Sequence, residues 1–123
     1  MANPNIVAVT SIYGSTSYLI PSTTSATTWT ALTPATGTVN KIDNIVASNV
    51  TSSAATITVS VNSATGGGGT AYRIAYQISV PPNASLIITD KTTAFYVGEG
   101  QSVVATVGTA NAIELTASLE AIS

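Results

Sequence analysis

The chain has 123 residues, 45% of them hydrophobic and only 7% charged, with a net charge of −2. That length fits one domain with a modest core, and the apolar content excludes disorder for want of a core. Cys and His are absent, which excludes disulfides, thiol catalysis, zinc fingers and imidazole acid–base chemistry. The only bases, Lys41, Arg73 and Lys91, are too few to neutralise nucleic-acid phosphates.

In chain order, the opening "MANPNIVAVTSIYG" lacks the basic region and long apolar stretch of a signal peptide. No window approaches the roughly 18 uninterrupted apolar residues of a membrane-spanning helix. Period-two alternation then dominates. It predicts strands near 6–12, 17–20, 27–32, 39–49, 55–62, 70–80, 84–89, 94–97, 101–107 and 112–122. In "ATITVSVN", Ile57, Val59 and Val61 face one way and Thr56, Thr58 and Ser60 the other. "YRIAYQISV" sets Tyr72, Ile74, Tyr76, Ile78 and Val80 against Arg73, Ala75, Gln77 and Ser79. At the end, Ile113, Leu115, Ala117, Leu119 and Ala121 alternate with Glu114, Thr116, Ser118 and Glu120. Such runs read as half-buried antiparallel strands. Much of the polarity comes from 15 Ser and 21 Thr, and Thr suits the pleated surface. Turn residues fall between the runs at the spacing of a sandwich, and no linker divides the chain. The prediction is a single all-β domain, an antiparallel β-sandwich.

The "GGGG" run at 66–69 raises the question of a phosphate loop. Such a loop needs a helix N-terminus after it and usually a Lys that reaches the phosphates. Here a strand pattern follows and no Lys is near, so the run reads as a mobile hairpin tip. "SVPPNASLII" reads as a strand stopped by Pro81, a turn, and a partner strand.

Asp90, Gly98 and Glu99 lack the alternate-position spacing of a calcium loop and read as turn residues. Glu114 and Glu120 lie about 20 Å apart along one strand, too far to share one glycosidic bond. The serines have no His base and no nucleophile elbow. "NVT" at 49–51 and "NAS" at 83–85 match the glycosylation pattern, but no secretory signal accompanies them. Trp29, Tyr13, Tyr18, Tyr72, Tyr76 and Tyr96 read as core or interface fillers, with glycan stacking as the competing role. No residues are assigned to catalysis, a cofactor or a metal.

Three stretches carry a resemblance: "KIDNIVASNVTSSAATITVSV", "TAYRIAYQISVPPNASLIITDKTTAFYVGEGQSVVATVG" and the closing "AIELTASLEAIS". With the opening "MANPNIVAVTSIYG", they are similar to small virion structural proteins of tailed bacteriophages, especially cyanophages. The resemblance implies a jelly-roll-like sandwich, in which "VASNVTSSAATITVSV" is a strand pair with Asn49 ending its first strand. It also implies that Gly98 and Gly100 turn the chain before Val103, Ala105 and Val107 point inward. The implied function is non-enzymatic: a capsid decoration or cement protein made in the host cytoplasm and carried on the outer surface of the head. Its implied partners are the major capsid protein and copies of itself, as a homo-oligomer such as a trimer, without nucleic acid, membrane or cofactor. A tail, neck or fibre component and a host- or carbohydrate-binding module are the alternatives. Residues 1–12 are the expected contact arm, with Asn5, Ile6, Val7, Val9, Ile12 and Tyr13 as candidate contacts, because the segment is apolar, β-prone and outside the clearest sandwich pattern.

Overall fold

The computed structural model describes residues 8–123. Among them, β1 (Ile12–Leu19), β9 (Ile113–Ile122), β3 (Val39–Asn49) and β6 (Ser85–Thr89) lie side by side in one sheet. There β7 (Phe95–Val97) also pairs with β3. The second sheet runs β2 (Thr27–Thr28), β8 (Ser102–Val107), β4 (Ala55–Asn62), β5 (Ala71–Val80). All the pairings are antiparallel.

The pairings nest. β4 pairs with β5, then β3 with β6 and β7, then β2 with β8, then β1 with β9. The chain is in effect one long hairpin wound round so that its rungs fall alternately into two sheets. This is the arrangement of a jelly roll.

Between the sheets lies one apolar core. In β9, Ile113, Leu115, Ala117 and Leu119 are buried, whereas Glu114 is exposed and Thr116, Ser118 and Glu120 are half-buried. Ile57 and Val59 of β4 meet Val107 and Ala105 of β8 on the inner face, and Val103 extends the same row. These are the positions that alternation assigns inward.

Four expectations are corrected. The strands predicted at 6–12 and 17–20 give way to β1, which bridges the gap between them; residues 6 and 7 lie outside the described segment. The strand predicted at 27–32 stops after Thr28, and a 3-10 turn at Thr30–Leu32 takes over. That turn, closed by the Leu32 N–H donating to the Trp29 carbonyl, places both Trp29 and Leu32 in the core. The adjacent strands β3 and β4 are not paired with each other, because the chain crosses between sheets after Asn49. Likewise β5 and β6 fall in opposite sheets, with the turn at Pro81–Ala84 making the crossing.

β5 also departs from its pattern. Its register against β4 slips twice, between Ile57 and Val59 and again between Val59 and Ser60. Gln77 takes a left-handed φ of 48°, and its N–H donates to the Thr58 hydroxyl. The inward partners of Ile57 and Val59 are therefore Ile78 and Ala75, so Tyr72, Ile74, Tyr76 and Ile78 do not share one face.

Candidate interaction surfaces

Of the candidate arm residues, Asn5, Ile6 and Val7 lie outside the described segment. Val9 is half-buried. Ile12 and Tyr13 open β1, opposite Ile122 and Ala121 of β9, with side chains 61% and 70% exposed. The pairing continues upstream, where the N–H groups of Thr10 and Ser11 both donate to the Ser123 carbonyl. From Thr10 onward, then, the segment is a paired edge of the sandwich rather than an arm outside it.

The outer face of the first sheet carries a row that crosses four strands. Tyr18 of β1 lies opposite Thr116 of β9, Thr116 opposite Val46 of β3, and Val46 opposite Ile87 of β6. Tyr18 is 73% exposed and Ile87 64%. Directly opposed side chains are neighbours at about 5 Å, so the row is a continuous ridge about 14 Å across. A second row, Gly14, Glu120, Lys41 and Tyr96, crosses the same face. It brings in charge: Lys41 lies 3.6 Å from the Asp43 carboxylate. Sequence alternation marks Thr116 and Glu120 as outward but cannot align the rows, because alignment needs the register between distant strands.

The glycine tip is not the mobile turn expected of it. It curls onto the outer face of the second sheet, held by a chain of hydrogen bonds that runs from Ser60 to Ala64. The Ser60 hydroxyl donates to Asn62 Oδ1, and Asn62 Nδ2 donates to the Gly67 carbonyl. The Gly67 N–H donates to Ser102 Oγ, whose own hydroxyl donates to the Ala64 carbonyl. Ser60, Asn62 and Ser102 are all buried by this cover. Gly67 is required twice over: its φ is +80°, and a Cβ there would sit 2.7 Å from Thr28 Oγ1. Because Ser102 occupies the Gly67 N–H, that amide is not free to cradle an anion.

Asn49, expected from sequence to end its strand and to open a glycosylation-like pattern, is a second hub. Its Oδ1 accepts from the N–H and hydroxyl of Thr51, and its Nδ2 donates to the carbonyls of Ser53 and Val80. One buried amide thereby ties the β3–β4 crossing to the end of β5. An Asn followed two residues later by Thr at a strand end is the signal that marks such a turn. The other pattern match, at Asn83, lies in the exposed turn before β6.

Trp29 is 1% exposed, and its indole N–H donates to Ser17 Oγ at 3.0 Å. It therefore offers no stacking face. Of the core or interface positions expected for the tyrosines, the core is excluded, since all are exposed: Tyr13 and Tyr18 on β1, Tyr72 and Tyr76 on β5, Tyr96 on β7. Arg73 stacks over the Tyr76 ring at 5.1 Å.

Two of the acids serve local structure. Asp90 caps the 3-10 turn at Lys91–Thr93, and the hydroxyl and N–H of Thr92 hold its carboxyl below the usual aspartate range. Glu99 accepts from the Gly37 N–H. Among the described residues there is no pocket and no cluster of three metal-ligating side chains. Comparison with known protein families, characterised proteins and solved structures finds no match to this chain.

Proposed function

We propose that the chain is a non-enzymatic structural protein of a tailed-bacteriophage virion, decorating the outside of the head by protein–protein contact. One observation carries the reading. Eleven large apolar or aromatic side chains are exposed among the described residues, against eight charged residues in the entire chain. A surface of that kind associates readily, because apolar contact is favourable and charge repulsion is small. The row from Tyr18 to Ile87 gives such contact a continuous line of side chains across the sheet, and repetition across a symmetric shell multiplies modest contacts into firm attachment. The jelly-roll frame and the sequence resemblance to phage virion proteins support the same reading.

The test is co-sedimentation with undecorated capsids. The full chain should pellet with them, and Tyr18→Ser combined with Ile87→Ser should weaken attachment at least about tenfold while leaving the thermal melt unchanged. Attachment to purified tails instead of heads would replace the decoration role with a tail or neck role. Attachment to neither would overturn the virion reading.

A further inference from the structure

We infer that β1 is an exchangeable strand, which leaves its own sheet and takes the same place on β9 of a second copy of this chain. The inference concerns the chain alone and holds whatever particle it serves. Its basis is the unequal way β1 is held. Backbone pairing to β9 runs the full length of the strand, from Ile12 opposite Ile122 to Leu19 opposite Leu115. Side-chain anchoring is almost lacking by comparison. Six of the eight residues are exposed, and only Ser17 and Leu19 are half-buried. The residues opposite the buried Leu119 and Ala117 are Ser15 and Ser17, where a core strand would carry Val or Ile. Leu19 and the Ser17–Trp29 hydrogen bond are the contacts it makes with the core.

A strand whose middle, Gly14–Ser17, carries only Gly, Ser and Thr has a weakly specified place and is prone to exchange. The contacts that do exist are backbone bonds to β9, and these form equally well between two copies. Leaving home therefore forfeits little apolar burial, and arriving on the partner restores every backbone bond.

The connection supplies a pivot. Pro21 is buried, and its carbonyl accepts from the Asn111 N–H at 2.9 Å, which fixes the chain beyond it. Ile20 just before it is 50% exposed. A residue preceding proline is biased to extended backbone, so β1 can project straight from the anchored Pro21, with a reach of about 27 Å. The edge strand β5 of the other sheet lacks this option: its bulges and the left-handed Gln77 break the straight ladder that pairing between copies would need.

Cysteine trapping tests the inference, since the natural chain has no Cys. Thr16 lies opposite Ser118 on the outer face, within disulfide reach in a native pair. The single variants Thr16→Cys and Ser118→Cys, mixed as full chains and then oxidised, should give mixed disulfide dimers in yield rising with protein concentration. The yield should exceed by about tenfold that of a control mixture of Thr16→Cys with Thr109→Cys, an exposed turn position. The double variant Thr16→Cys/Ser118→Cys reports whether the substituted strand still pairs. It should close within one chain when dilute and link chains when concentrated. Mixed dimers no more abundant than in the control, with the double variant closing only within one chain at every concentration, would overturn the exchange. Formation of neither kind of disulfide in the double variant would overturn the β1–β9 register on which it depends.

Discussion

β5 and β9 are both ten residues long and alternate almost equally well in sequence, yet only β9 obeys its alternation in the fold. β9 lies between β1 and β3 and is hydrogen-bonded on both sides. A slip there would break two ladders and turn Leu115 and Leu119 out of the core. β5 is bonded only to β4, so an extra residue can bulge outward without disturbing a second neighbour. Its conformation is settled instead by its two ends, where the glycine tip and the Asn49 hub hold it. Alternation thus holds along β9 and fails along the edge strand β5, while interior β3 breaks it at the bulge between Ile42 and Asn44.

Side-chain truncation is the strongest way to break this contrast. Leu115→Ala should cost about 2–5 kcal/mol in a denaturant titration, from lost transfer energy and the cavity left behind. Tyr72→Ala on β5, at a residue 65% exposed, should cost no more than about 0.5 kcal/mol. Comparable losses would mean that β5 is as constrained as β9.

A smaller effect separates the ends of β5 from its middle. Gly67→Ala should destabilise the protein by about 1–3 kcal/mol, since the new Cβ meets Thr28 and the backbone is left-handed. Thermal melting of that variant measures it, and an unchanged melt would return the tip to the status of slack. The smallest change belongs to the bulge. Gln77→Gly should alter stability by less than about 1 kcal/mol, because relief of the left-handed backbone is offset by the greater freedom of glycine when unfolded. A larger loss in the same titration would show that the Gln77 side chain pins the edge.

The strands from Val39 onward lie within a residue or so of where alternation and turn residues place them. What the sequence could not convey is which sheet each joins. The segments after Asn49 and Val80 are short enough to read as hairpin turns, but both cross the sandwich. The deciding interactions are long-range, such as Asn49 Nδ2 reaching the Val80 carbonyl. Trp29 was ambiguous for a similar reason: its burial depends on a 3-10 turn whose residues, Thr30–Leu32, carry no helical pattern. Among the candidate contacts, apolar β-prone character marked Ile12 and Tyr13, and both are exposed. The ridge from Tyr18 to Ile87 depends on register between strands far apart in the chain, and no local pattern records that.

The nested pairing sets an order of assembly. Closing a chain costs more entropy the farther apart its ends, so the innermost pair, β4 and β5, is the least expensive to form and the outermost, β1 and β9, the most. Each closure shortens the effective distance for the next, so folding proceeds outward, on the millisecond-to-second scale typical of non-local β topologies. The indole of Trp29 meets Ser17 only when β1 closes on β9. The backbone N–H of Trp29 donates to the Val103 carbonyl of β8. The single tryptophan therefore reports the two outer closures, β2 on β8 and then β1 on β9, and is silent about the first.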